Sequence, residues 1–396
     1  NMKVVLVLTF VYYFLTPFCK CLNSYSCNER VNDDSFYFIN PSYPKSEGNI
    51  SLDCPLTLDL RPSSSNCSLT QHEEEPRICQ VRLNFDEFST QPPLLGDCVF
   101  DQFYSLDTLL CGLNSGHHLY LNTESVNQLD FHFRLSNLEP KLYSCLDKFN
   151  LTNTLDNGTT LNRSRNKLRV KVEKLEELKK FEPSKRRAWK IKVTKIPCSC
   201  TSEEQRIPSG CLSFYTSNSG DIKSFNYDHL GCFSDDRLCS KTNINDCTFW
   251  AGYTGHLNNM KHSICIQPES GHCGIEYSSM EEETGSFSLT NQTVIGTNDG
   301  SGAENGIKNC VADYIEIPNG MCLGENRNTI SSDRFCGNSL GFQSRKENII
   351  SYTRPFYLRF ITDFDEVSNS WDYMNRGVHL KYEQIACNDH RHNINK

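Results

Sequence analysis

The sequence predicts an all-β chain of two disulfide-bonded sandwich domains in tandem. Three observations predict it: a pair of look-alike segments, many short alternating strands broken by turn residues, and 21 cysteines in 396 residues. The first look-alike segment runs Cys98-Val-Phe-Asp101-Gln-Phe and closes at Cys111-Gly112; the second runs Cys310-Val-Ala-Asp313-Tyr-Ile-Glu-Ile and closes at Cys336-Gly337. Each sets an Asp three residues after a Cys, then a β-type run, then Cys-Gly. A chain of this length holds two domains of ordinary size.

The N-terminus sets the expected compartment. Lys3 precedes an apolar run over 4–15, followed by Thr16-Pro17 and small or polar residues. A short basic region, a short apolar core and a break make a secretory signal, assigned to 1–21, and the run is too short to span a bilayer. Cleavage after Cys21 leaves 19 cysteines and after Cys19 leaves 20, so the boundary stays open. In a secreted chain such cysteines are a disulfide framework rather than metal or redox groups. Six Asn-x-Ser/Thr sequons agree with that route: Asn49, Asn66, Asn150, Asn157, Asn162 and Asn291. No later stretch approaches membrane-spanning length, and the net charge of −8 is mild.

The strands are read from period-2 alternation. In the first domain, 22–198, the turn Asn40-Pro-Ser-Tyr-Pro44 precedes them, because Pro fixes φ and removes a ladder donor. Val81, Leu83 and Phe85 alternate with Arg82 and Asn84; Leu129, Phe131 and Phe133 with Asp130, His132 and Arg134; Trp189, Ile191 and Val193 with Lys190 and Lys192. A polar, sequon-bearing, basic insertion interrupts this domain at about 137–186. Its stretch 167–181 suits a helix, disorder or a strand extension equally. The chain divides near Pro197-Cys198-Ser199-Cys200. In the second domain, 199–387, Ile264, Ile266 and Ile275 mark Cys-bounded strands, and Phe356, Leu358 and Phe360 face one way, as do Val378, Leu380 and Tyr382. The segment 228–247 reads as a disulfide-pinned loop, and 388–396 as a disordered tail. Many short strands with Gly, Asn, Ser and Pro breaks argue for sandwiches.

The paired Cys-x-x-Asp hairpins resemble the central hairpin of CUB domains, extracellular β-sandwiches of the jelly-roll type. The resemblance extends through Ile78-Cys79-Gln-Val-Arg-Leu-Asn-Phe85, the strand ending at Pro197-Cys198, Pro208-Ser-Gly-Cys211 and Phe360-Ile-Thr-Asp363. The arrangement is similar to secreted arthropod-type proteins with tandem CUB-like domains. It implies Cys27–Cys54 and Cys98–Cys111 as bridges, and Cys310–Cys336 with Cys322 as an alternative partner for either. Such bridges each contribute about 2–4 kcal/mol, largely by restricting the unfolded chain.

The same resemblance implies a calcium site. Many CUB domains hold Ca²⁺ through a Glu, the Asp of Cys-x-x-Asp and an Asp on a later loop, since hard cations want several oxygen ligands. In the second domain the candidates are Glu304, Asp313 and Asp363. In the first only Asp101 matches, with Gln91 and Pro92 where an acid would be sought. The alternative is that these aspartates cap turns through backbone N–H groups.

Over 163–195 there are 14 Lys/Arg against four Glu. Lys185, Arg186 and Arg187 form a basic strip suited to sulfated glycans, or else a solvated charged face. Catalytic support is slight: there is no Gly-Asp-Ser-Gly or His-Glu-x-x-His. The adjacent His117 and His118 point to opposite faces of a strand and chelate poorly. No nucleic-acid module is evident. The expectation is a secreted, non-catalytic module that binds an extracellular protein, with Ca²⁺ as the candidate cofactor of the second domain. The alternatives are a glycan- or matrix-associated structural protein and a non-catalytic part of a CUB-containing protease.

Overall fold

A computed structural model describes residues 22–48, 50–61, 77–93, 96–137, 187–198, 206–228, 256–280, 286–289, 303–323, 329–342, 345–364 and 376–388. The signal segment, the asparagines of all six sequons, the insertion at 138–186, Lys185, Arg186, most of the loop at 228–247 and nearly all of the tail lie outside them.

Every regular element among the described residues is a strand. The first half contributes β1 (Ser24–Tyr25), β2 (Glu29–Val31), β3 (Ser35–Ile39), β4 (Leu52–Asp59), β5 (Ile78–Ser89), β6 (Gln102–Ser105), β7 (Thr108–Leu110), β8 (His118–Asn122), β9 (Gln128–Leu135) and β10 (Ala188–Pro197). The second contributes β11 (Ser213–Tyr215), β12 (Ser219–Lys223), β13 (Lys261–Ile266), β14 (His272–Ser279), β15 (Phe287–Ser288), β16 (Ala303–Asn305), β17 (Tyr314–Leu323) and β18 (Thr329–Gly337). It ends with β19 (Gly341–Phe342), β20 (Arg345–Lys346), β21 (Ile349–Ser351), β22 (Phe356–Ile361) and β23 (Gly377–Ala386).

The alternating strands face their cores as the periodicity requires. Val81, Leu83 and Phe85 are buried on β5, Leu129, Phe131 and Phe133 on β9, and Trp189, Ile191 and Val193 on β10. Trp189 stacks on Phe133 with ring centroids 3.9 Å apart, and Phe133 also packs on Phe103 and Phe88. Such ring pairs add about 0.5–1.5 kcal/mol to area burial. In the second half Ile264, Ile275, Leu358, Phe360, Leu380 and Tyr382 form a separate core.

The two halves repeat one topology. In the first, the sheets run β2-β4-β9-β6-β7 and β1-β3-β10-β5-β8. In the second, β11-β13-β22-β17-β18 and β12-β23-β14-β21 follow the same order, with β17 also touching β21. Three disulfides recur at matching places: Cys27–Cys54 and Cys211–Cys265, Cys79–Cys198 and Cys273–Cys387, Cys98–Cys111 and Cys310–Cys336. Cys322, left as an alternative partner by the sequence, is a buried free thiol.

The halves meet along a seam. The Tyr120 N–H at the outer edge of β8 donates to Leu212 O at 2.8 Å, and Leu212 N–H donates to Ser263 O at 2.8 Å. Gln80 and the Ile207 peptide exchange two hydrogen bonds, of 3.0 and 3.1 Å. Phe225 and Leu257 of the second half complete the core of the first.

Candidate functional site

The two Cys-x-x-Asp hairpins place their aspartates at one end of each sandwich, just before β6 and β17. Asp101 is fully buried. Its Oδ2 accepts the Gln91 N–H at 2.8 Å, and its Oδ1 accepts the Ser136 N–H at 3.2 Å, just past β9. Asp313 has the same local role: its Oδ1 accepts the Asp363 N–H at 3.0 Å, just past β22. Each aspartate therefore ties its hairpin to the loop that follows the matching strand. In the first half that loop offers Ser136; in the second it offers Asp363.

The cation at Asp101 comes from the chain itself. Arg187 Nε donates to Asp101 Oδ2 at 2.8 Å, Nη2 to Ser136 O at 2.7 Å and Nη1 to Gly48 O at 3.2 Å. Arg187 is 2% exposed. This corrects its expected place on an exposed basic strip: a residue that opens the last strand of a sandwich enters the closed end of the barrel of loops, and a buried guanidinium demands acceptors on every edge. Burial raises the Asp101 pKa above the usual carboxylate value, with the Gln91 and Ser136 peptides and Arg187 pulling against it. Asp101 with Arg187 does not fit a metal site, since its carboxylate is already taken by a cation.

In the second half Arg376 precedes β23 as Arg187 precedes β10, and it lies over the Tyr227 ring at 3.9 Å while its Nε donates to Tyr227 O at 2.8 Å. Asp313 is 1% exposed, and its Oδ2 lies 3.6 Å from His256 Nε2. The Asp363 N–H bond to Asp313 is the turn-capping role that the sequence left as the alternative to metal ligation. Glu304 lies on β16, paired with Cys336 across β18. Among the described residues no group of three His, Cys, Asp or Glu is close enough to hold a metal ion.

The edge around Asp313 and Asp363 exposes apolar side chains. Phe364 is 75% exposed, Ile307 68% and Val311 47%. Asn258 Nδ2 donates to Asp97 Oδ1 at 2.9 Å and to Phe364 O at 3.2 Å, which joins the first half's hairpin to this loop. Phe364 and Asn258 had no distinguishing sequence signal; Arg187 was marked by its run of basic residues, which pointed to the surface and not to Asp101.

The family model for the animal CUB domain matches residues 208–385. The class defined for that span is a CUB-type β-sandwich, and the all-β, disulfide-bonded architecture agrees with it. No curated protein matches the chain. Among solved structures, the chain is similar to the CUB1-EGF-CUB2 domains of rat MASP-1, at 11% identity over 91% of this chain and 100% of that one, with a TM-score of 0.23. It is also similar to the MASP-1 CUB2 domain bound to Ca²⁺, at 13% identity over 42% of this chain and 98% of that one, TM-score 0.22. A third is the extracellular region of zebrafish Gpr126/Adgrg6, at 10% identity over 91% of this chain and 37% of that one, TM-score 0.25.

Proposed function

We propose that the chain is a secreted, non-catalytic binding protein of two CUB-like modules, divided near residue 198, that engages an extracellular protein ligand at the second module's loop edge. Ca²⁺ is the metal this edge is suited to, with Asp313 and Asp363 as ligands and Glu304 as the third. One observation carries the reading: Asp313 and Asp363 adjoin at an edge that also presents Phe364 and Val311 to solvent. Exposed apolar anchors beside fixed polar groups are the composition of a protein interface. The CUB match over 208–385 supports the same reading, since CUB modules bind rather than catalyse. When bound, the metal would supply fixed positive charge, while the chain's own residues set the loop geometry.

The test is affinity capture from extracellular fluid, with the mature protein as bait in Ca²⁺ and in chelator. A ligand recovered in Ca²⁺ and lost both in chelator and with an Asp313→Ala, Asp363→Ala bait is the expected result. A ligand recovered equally in all three removes the metal from the reading. Loss of the ligand with Phe364→Ser places it at this edge, and undiminished capture by that variant places it elsewhere.

A further inference from the structure

The seam between the halves contains three histidines that no part of the binding edge uses. His117 and His118 come from the start of β8, and His262 from β13. The Phe225 ring lies between two of them, 5.0 Å from His117 and stacked on His262 at 4.6 Å. Ser213 Oγ donates to His118 O at 2.9 Å. A hydroxyl has one proton to give, so the 2.7 Å contact between Ser213 Oγ and His262 Nε2 has the imidazole as donor. His262 is thereby fixed in its Nε2–H form. Its Nδ1 is buried with no hydrogen-bond partner among the described residues. On the other face, His118 Nε2 lies 3.0 Å from both the nitrogen and the carbonyl oxygen of Phe214, so it accepts from the one when neutral and donates to the other when protonated.

We propose that this seam is an acid-sensitive latch: protonation of His262 at its unpartnered Nδ1, with His117 and His118, puts uncompensated positive charge into the closed seam and lets the two halves separate. A second proton on His262 goes to Nδ1, where it sits unpaired in an apolar wall, and an unpaired buried charge is costly. A proton on His118 Nε2 exchanges the Phe214 N–H for the Phe214 carbonyl, while burial and Arg82 disfavour the added charge. The three rings then repel one another across the seam.

The surrounding charges give little relief. Arg82, on β5, disfavours the charged form of His118, and Lys223, at the end of β12, disfavours that of His117. Asp228 is the one acid acting on His117, and it is already paired with Lys223 at 2.8 Å. Tyr215 lies edge-on to His118 at 5.0 Å, with its hydroxyl held protonated by burial. Burial lowers His262 to about 3, and burial with neighbouring charge lowers His117 and His118 to about 4. Once the seam opens they return toward the ordinary 6.5. Because the docked state binds fewer protons, its stability is complete above that value and is lost as pH falls through it toward about 4.

The test is small-angle scattering of the full chain from about pH 7.5 to about pH 4.5, with near-ultraviolet circular dichroism to follow core packing. The expected result is a reversible rise in radius of gyration in the acid range while the aromatic signal of the cores persists. His262→Gln keeps a donor for Ser213 and cannot charge, so it lowers the midpoint by about half a pH unit or more. An unchanged radius across the range, or the same midpoint in the variant, overturns the proposal. If His262→Gln fails to fold, proton NMR titration of the parent decides: a His262 ring that titrates near its ordinary value with the seam closed overturns the latch, and one that titrates only as the radius rises supports it.

Discussion

Arg187 Nε lies 2.8 Å from Asp101 Oδ2, and both side chains are buried. The pair closes the end of the first half where its counterpart in the second half sets Asp313 against Asp363. One topology is thus finished in two ways: an internal guanidinium holds the loops of one half, and an edge with two acids and exposed apolar residues closes the other. The guanidinium joins Gly48, Asp101 and Ser136, so three loops depend on one side chain.

Arg187→Ala should therefore destabilise the first half by about 3–5 kcal/mol, because it leaves the Asp101 charge buried and unpaired. Arg187→Lys should recover only part of this, since an ammonium cannot span three acceptors in one plane. Chemical denaturation followed by the fluorescence of Trp189, two residues after Arg187, reads the change. Equal stability of parent and Arg187→Ala would show that the pair holds nothing.

Gly112→Ala should loosen the seam. Gly112 has φ of +83°, and a Cβ there would collide with Asn226 Oδ1, the acceptor of the Leu113 N–H at 3.1 Å. The backbone strain alone costs about 1–3 kcal/mol. Hydrogen exchange should quicken at Leu113 and Asn226 while Val193, in the centre of β10, keeps its protection. Exchange that quickens equally at all three would mean a global effect instead.

Cys322 should resist alkylation in the folded protein. Burial, with the Glu347 carboxylate adding to it, raises its thiol from 9.0 to about 12. Such a rise cuts the thiolate population by about a thousandfold, and the thiolate is the reactive form. Peptide mass spectrometry after brief iodoacetamide treatment should find the Cys322 peptide unmodified in native buffer and modified in denaturant. Rapid native labelling would contradict the buried thiol.

Much of the fold was legible because strand periodicity and burial express the same fact. Phe131 and Phe133 alternate with charged neighbours in sequence, and the former face the core while the latter face out. The Cys-x-x-Asp repeat likewise marked both loop ends. What the local pattern does not carry is pairing across the chain. Cys79 and Cys198 are 119 residues apart in sequence, and nothing near either names the other. Arg187 stood in a run of basic residues, and only the fold turned it inward while charge counting put it on the surface. His117 and His118 do point to different partners, as their adjacency on a strand requires, but the seam that gives them a role arises only when β8 meets the second half. The asymmetry between the ends was visible in part: the first half offers Ser136 where the second offers Asp363.

The most direct test of the account is a calorimetric Ca²⁺ titration of the full chain, repeated with Asp313→Ala, Asp363→Ala and with Asp101→Asn. The account predicts one Ca²⁺ per chain, lost in the double variant and kept in Asp101→Asn. Two sites per chain, or a single site that survives the loss of Asp313 and Asp363, would contradict the division of roles between the two ends.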